Sequence, residues 1–162
     1  MRLYLLLGSN QGNRKALLEQ ATDLIRQRVG AVASASPQYE TAPWGKFAEG
    51  EDHPFLNQAL GVETAKEPHE VLAITQGIET ELGRQRQPHA EANRTRIYTS
   101  RPIDIDIIFH GATVCDTPDL TLPHPRMHLR RFVLQPLNDI APDVVHPLLH
   151  KTVSQLLQAC PE

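Results

Sequence analysis

An α+β fold, one antiparallel sheet with helices packed on it, is the architecture the sequence predicts, and three observations predict it. Short apolar strands bounded by turn residues alternate with two stretches of helical periodicity. Their order is strand, helix, strand, strand, helix, strand. The last strand, RPIDIDIIF at 101–109, carries two aspartates two positions apart. This order is the split βαβ pattern of ferredoxin-like folds, with four strands in one sheet and the helices on one face. The chain has 162 residues and shows neither an internal repeat nor a low-complexity segment, so residues 1–162 are expected to form a single domain with no appended module.

The elements follow in order. Leu3, Leu5 and Leu7 begin an apolar strand that ends at the turn cluster Gly8-Ser9-Asn10, and a second turn signal stands at Gly12-Asn13. Asn13 is placed to cap a helix over 14–29, with Leu17, Ala21, Leu24 and Ile25 as its apolar face. Ala31 to Tyr39 reads as the second strand. Ala42 to Pro54, with two prolines, two glycines and three acids, reads as a long loop before a third strand at Phe55 to Thr64. Pro68 suits the first turn of a helix to about Leu82, with Val71, Thr75, Ile78 and Leu82 inward. Residues 83–100 are polar and are expected to be a mobile loop. After the acid strand come a short return at Gly111 through Val114 and a loop around PHPRMH. Helices over Leu129 to Asn138 and from a Thr152 cap to Ala159 complete a C-terminal extension.

In an extended strand side chains alternate, which places Ile103, Ile105, Ile107 and Phe109 on one face and Asp104, Asp106 and Ile108 on the other. Two residues of rise separate the carboxylates by about 6.6 Å on a rigid element. Such a pair suits a hard cation. Mg²⁺ takes one or two carboxylates and leaves its other positions to water and phosphate oxygens, and two ions can flank a transferring phosphoryl group. A half-buried strand with a solvated polar face is the plain alternative for this nonamer, because acid-x-acid strings are common.

Eight of the twelve arginines (84, 86, 94, 96, 101, 126, 130 and 131) flank the acid pair, against four lysines in the whole chain. The planar guanidinium fork is the better bidentate partner for phosphate. A net charge of -3 and an aromatic content of 5% argue against nucleic acid as a partner. Two cysteines, no signal-peptide pattern and no apolar run near ~20 residues point to a cytoplasmic protein without a membrane anchor. The familiar phosphate cradles, G-x-x-x-x-G-K-[ST] and G-x-G-x-x-G, are missing, so arginines and metal must hold any nucleotide. His124 and His128 stand four apart, but Pro125 between them weakens a zinc site against a loop histidine that touches phosphate.

Several separated strings, taken together and in order, resemble one family. YLLLGSNQGN at 4–13, YETAPWG at 39–45, FLN at 55–57, TQGIETELGRQR at 75–86, SRPIDIDIIFHG at 100–111 and LPHPRMHLRRFVLQPLNDIAPD at 122–143 resemble 6-hydroxymethyl-7,8-dihydropterin pyrophosphokinase of folate biosynthesis. The resemblance implies a ferredoxin-like fold, two Mg²⁺ ions, ATP as co-substrate, and transfer of pyrophosphate to the pterin hydroxymethyl with release of AMP. It implies Asp104 and Asp106 as metal ligands, with Arg84 and Arg101 gripping the phosphates as catalytic partners. Gln76, Glu79, His124 and Arg130 match further ATP-site positions, Arg86 and Tyr98 are expected at the same site from the loop before Arg101, and Thr41, Ala42, Trp44, Phe55, Asn57 and Phe132 match the pterin pocket. A flat bicyclic ring wants aromatic faces, available in Phe55 and Phe132, and an edge amide that donates and accepts, available in Asn57. Many members carry Trp-Gly-Pro directly before the arginine matching Arg101, where this chain has Tyr98-Thr99-Ser100 after a longer loop.

Small-molecule pterin and ATP are thus the expected partners of a monomeric enzyme. Two other classes compete with that expectation. A metal-dependent nucleotidyltransferase also joins a Gly-Ser turn to D-x-D, although there the turn lies close before the acids. A non-enzymatic ferredoxin-like binding module explains the fold and leaves the acid pair unexplained.

Overall fold

The computed structural model describes residues 1–41, 54–83 and 102–162. Its main sheet is antiparallel, with strands β1 (Arg2–Ser9), β2 (Ala31–Ala35), β4 (Phe55–Glu63) and β5 (Asp104–His110) in the order β2-β4-β1-β5, and the short β3 (Tyr39–Thr41) pairing with β4. Helices α1 (Arg14–Arg28) and α2 (Pro68–Gly83) complete the ferredoxin-like βαββαβ core. Beyond it lie a small hairpin of β6 (Cys115–Asp116) and β7 (Thr121–Leu122), a 3-10 turn at Met127–Leu129, α3 (Arg131–Ile140) and α4 (Val153–Gln158). None of the described helices is long and apolar enough to cross a membrane.

Local chemistry sets the ends of these elements. Asn13 caps α1, its side chain accepting the amide of Ala16 at 3.1 Å. Thr152 and Gln155 close a full capping box on α4, with bonds of 3.1 and 2.9 Å between each side chain and the other residue's amide. The single second strand expected over 31–39 is split. Pro37 has no amide to donate, and the Ser36 hydroxyl accepts the Ala59 amide at 2.9 Å, so the chain leaves β4 at Ala35 and rejoins it at Tyr39. Gly8 and Ser9, expected in a turn, stay in β1 opposite Asn57 and Leu56.

Two cores lie on opposite faces of the sheet. On the first, Leu3, Leu5 and Leu7 of β1 and Ile105 and Ile107 of β5 meet Leu18, Ala21 and Ile25 of α1 and Val71 and Ile78 of α2. Leu18 is thus a central residue of the α1 face, with Leu17 and Leu24 at its margins. On the second, Tyr4, Leu6, Ala59, Ile108 and Phe109 meet Val133, Leu134 and Leu137 of α3 and Val153 and Leu156 of α4. The helices therefore cover both faces rather than one, because the C-terminal extension buries the side that a bare ferredoxin-like sheet leaves open. Helix α3 starts at Arg131, two residues later than expected, since the 3-10 turn occupies 127–129.

Strict alternation along the acid strand also fails at one point. β1 pairs Tyr4 with Phe109 and Leu5 with Ile107, leaving Ile108 as an extra residue in a bulge. Phe109 consequently joins Ile108, Tyr4 and α3 on the second face instead of sharing the face of Ile105 and Ile107. The bulge lies past the aspartates and leaves their spacing intact. Asp104 stands opposite Gly8 and Asp106 opposite Leu6.

Candidate active site

Register pairings define the site. On the second face Asn57 of β4 lies opposite Gly8 of β1, and Gly8 lies opposite Asp104 of β5, so amide, glycine and carboxylate form one row across the sheet. Two strand spacings, about 9.5 Å, separate the first from the last. The next row runs from Ala59 through Leu6 to Asp106. Asp104 is half-buried and Asp106 exposed, both on the same face of one strand.

Gly8 is the residue that sequence reasoning missed. A Cβ there would lie 2.8 Å from Asn57 Oδ1 and 3.6 Å from the Phe55 ring, so both side chains lean over the bare backbone of β1. The Asn57 amide, 3% exposed, donates from Nδ2 to Thr41 Oγ1 at 2.6 Å. Thr41, Phe55 and Asn57 are thereby one contiguous group. Phe132, at the start of α3, packs against the second core on the same side of the sheet, with the Arg130 guanidinium 5.7 Å from its ring centre. Around this floor Arg14 reaches Glu40 at 2.8 Å and the Pro54 carbonyl at 3.1 Å, and the Tyr39 hydroxyl donates to Asp139 of α3. The local sequence signal for Gly8 was a glycine following a continuous apolar run, which reads equally well as a turn.

The outer edge of β5 is covered from both sides. From α2, Glu79 accepts the Ile105 amide at 2.7 Å, while from the segment after β7 the His124 amide donates to the Ile108 carbonyl at 3.0 Å. Gln76 lies one turn before Glu79 and is exposed. His124 Nδ1 accepts the Arg126 amide at 3.3 Å, which leaves Nε2 to carry the proton of the neutral ring. Burial, with the positive charges of Arg130 and Arg126, lowers the His124 pKa from 6.5 to about 4. A neutral donor beside two arginines suits an anionic ligand. Ala42, Trp44, Arg84, Arg86, Tyr98 and Arg101, with the expected loops around them, lie outside the described residues.

The donor set fits a hard divalent cation: two carboxylates at alternate positions of one strand, with oxygen as the only ligand atom. Among the described residues no group of three or more His, Cys, Asp or Glu comes together to hold a metal. Among the described residues the site offers these two carboxylates, a number that suits Mg²⁺, which keeps several waters when bound by one or two carboxylates.

Fold and site together describe a ferredoxin-like α+β protein with a carboxylate pair on β5 and, two strands away, a buried amide packed over a glycine. The sequence model of the family described as 7,8-dihydro-6-hydroxymethylpterin-pyrophosphokinase (HPPK) matches residues 4–142, and the chain belongs to that family. A Porphyromonas gingivalis protein named 2-amino-4-hydroxy-6-hydroxymethyldihydropteridine pyrophosphokinase is 43% identical over 146 residues, covering 90% of this chain and 93% of that protein. A Bacillus subtilis protein of the same name is 39% identical over 142 residues, 87% of this chain and 78% of its own length. Among solved structures, a Plasmodium falciparum HPPK-DHPS triple mutant superposes with a TM-score of 0.74 over 98% of this chain at 17% identity, a likeness of fold. The chain spans 43% of that longer one.

Proposed function

We infer that this protein transfers the pyrophosphoryl group of ATP to the hydroxymethyl group of 6-hydroxymethyl-7,8-dihydropterin, releasing AMP, in folate biosynthesis. The observation that carries the reading is the row Asn57, Gly8, Asp104, in a chain that belongs to the family. It sets a buried amide and a metal-type carboxylate on one face of one sheet, at a separation that a bicyclic ring and its hydroxymethyl arm can bridge. Asn57 has donor and acceptor atoms for the edge of the pterin, Phe55 and Phe132 offer ring faces, and the bare backbone of Gly8 lets the Asn57 amide and the Phe55 ring settle close against β1.

Asp104 and Asp106 would hold Mg²⁺, with two ions as the full complement. Bound there, the metal supplies neutralisation of the triphosphate charge. The protein's own contribution is positioning. His124 and Arg130 face the phosphates from the second side, and Arg84, Arg101, Arg86 and Tyr98 belong to the same nucleotide site in this reading, as Ala42 and Trp44 belong to the pterin pocket. Holding donor and acceptor in line converts a bimolecular encounter into an intramolecular step, and this matters most in a transfer that asks for little covalent help from protein. Residues 1–162 act as one domain in this reading, supported by the packing of α3 and α4 on the sheet that carries the site. A cytoplasmic monomer with two free cysteines is its simplest form.

The test is incubation with ATP, Mg²⁺ and the reduced hydroxymethylpterin, following both products. AMP and a diphosphorylated pterin in equal amounts are expected. Release of pyrophosphate with a nucleotidylated acceptor would replace the assignment by nucleotidyl transfer, and no consumption of ATP would reduce the protein to a binding module.

A further inference from the structure

Among the described strands β5 lies at the edge of the sheet, and an edge strand has a row of backbone groups with no neighbouring strand to hold them. The amide of Ile105, the residue between the two aspartates, is taken instead by a side chain: Glu79 Oε2 accepts it at 2.7 Å. A bond from an amide to a carboxylate is short and about twice as strong as one between neutral groups. Its place matters more than its strength. The peptide unit that ends in the Ile105 amide begins at Asp104, so its orientation sets the direction in which Asp104 leaves the strand and, one residue on, that of Asp106. Glu79 is itself firmly seated. It follows Ile78, fully buried in the first core, and the C-terminal end of the same helix closes on Pro102, which leads into β5: a Cβ on Gly83 would lie 3.2 Å from that ring. The carboxylates of Glu79, Asp104 and Asp106 do not gather into a three-ligand group, so Glu79 acts on the pair through the backbone and not as a third ligand.

We propose that Glu79 is a positioning residue for the acid pair, fixing the Asp104–Ile105 peptide so that both carboxylates are presented to the divalent cation at once. This rests on the pyrophosphokinase reading for its catalytic meaning, but the mechanical claim does not need turnover. Glu79→Ala removes the acceptor; Glu79→Gln keeps an acceptor oxygen without its charge.

The first measurement is hydrogen exchange of the Ile105 amide in metal-free protein. Exchange should accelerate at least tenfold in Glu79→Ala and less in Glu79→Gln. The second is the concentration of Mn²⁺ needed to half-saturate the protein in the presence of a nonhydrolysable ATP analogue, which should rise about tenfold in Glu79→Ala and by an intermediate factor in Glu79→Gln, while the pterin KM moves less than twofold. Unchanged Ile105 exchange in Glu79→Ala would overturn the proposal, as would faster exchange with unchanged Mn²⁺ affinity. Loss of analogue affinity without divalent metal, with Mn²⁺ affinity retained, would make Glu79 a direct nucleotide contact instead. Exchange and Mn²⁺ binding are read without chemistry, so a wild-type protein that released no AMP would sink the functional reading and leave this one standing or falling by itself.

Discussion

Gly8→Ala puts one methyl group under the Asn57 amide, in the row that leads to the acid pair. The new Cβ lies 2.8 Å from Asn57 Oδ1, closer than such contacts are ever found, so the amide must move. A long surface side chain would swing away at little cost. Asn57 cannot: it is 3% exposed and tied to Thr41 at 2.6 Å, and turning its amide over would merely bring Nδ2 to the same spot. Moving it breaks that bond and leaves a buried polar group poorly paired, at a cost of about 1–3 kcal/mol. For a domain of this size each kcal/mol lowers the melting temperature by about 2–4 °C, so a drop of roughly 2–12 °C is expected. If Asn57 reads the pterin edge as proposed, the same displacement spoils that contact, and affinity for the pterin should fall at least tenfold, one decade being about 1.4 kcal/mol. Binding of a nonhydrolysable ATP analogue should change little, because the acid pair sits on the other neighbour of β1. Calorimetry of both ligands and a thermal melt decide it. Wild-type melting with wild-type pterin affinity would show that Asn57 does not stand over Gly8, and the location of the pocket would fall with it.

Other outcomes follow from the same geometry. Asp104→Ala and Asp106→Ala should each reduce turnover by several orders of magnitude with the melting temperature kept within a few degrees, since in the proposed mechanism the transfer depends on charge stabilisation at that pair; near-normal rates at limiting Mg²⁺ would refute the ligand assignment. His124 ties stability to pH. Its folded pKa is lowered to about 4 from 6.5, so as the pH falls below 6.5 the unfolded chain gains a proton that the folded protein refuses. Stability at neutral pH is therefore lost between about 6.5 and 4, by up to about 3 kcal/mol from this group, and denaturant midpoints of His124→Gln should lack that slope. Thr152→Ala removes the α4 cap and should cost about 1 kcal/mol in chemical denaturation with catalysis untouched.

The periodic parts of this molecule were legible in the chain. β1, α1, β4, α2 and the acid strand are each written in a short local code, alternation or a 3.6-residue stripe with a cap at the start, and backbone geometry alone translates it. The aspartate pair was legible for the same reason: two residues of strand put two side chains on one face whatever surrounds them. What the chain could not state was anything that depends on which strand lies beside which. Gly8 reads as a turn until Asn57 is brought opposite it, and only then does the missing Cβ become the seat of the amide. Phe109 changes face because β1 skips Ile108, a register choice made by the partner strand and not by the strand that bulges. Glu79 looks like an exposed helix carboxylate until the edge of β5 arrives with an amide to be satisfied. Local sequence thus determined the elements and the chemistry they carry. Tertiary structure decided which face each residue looks into, because a face is a property of two strands and their register.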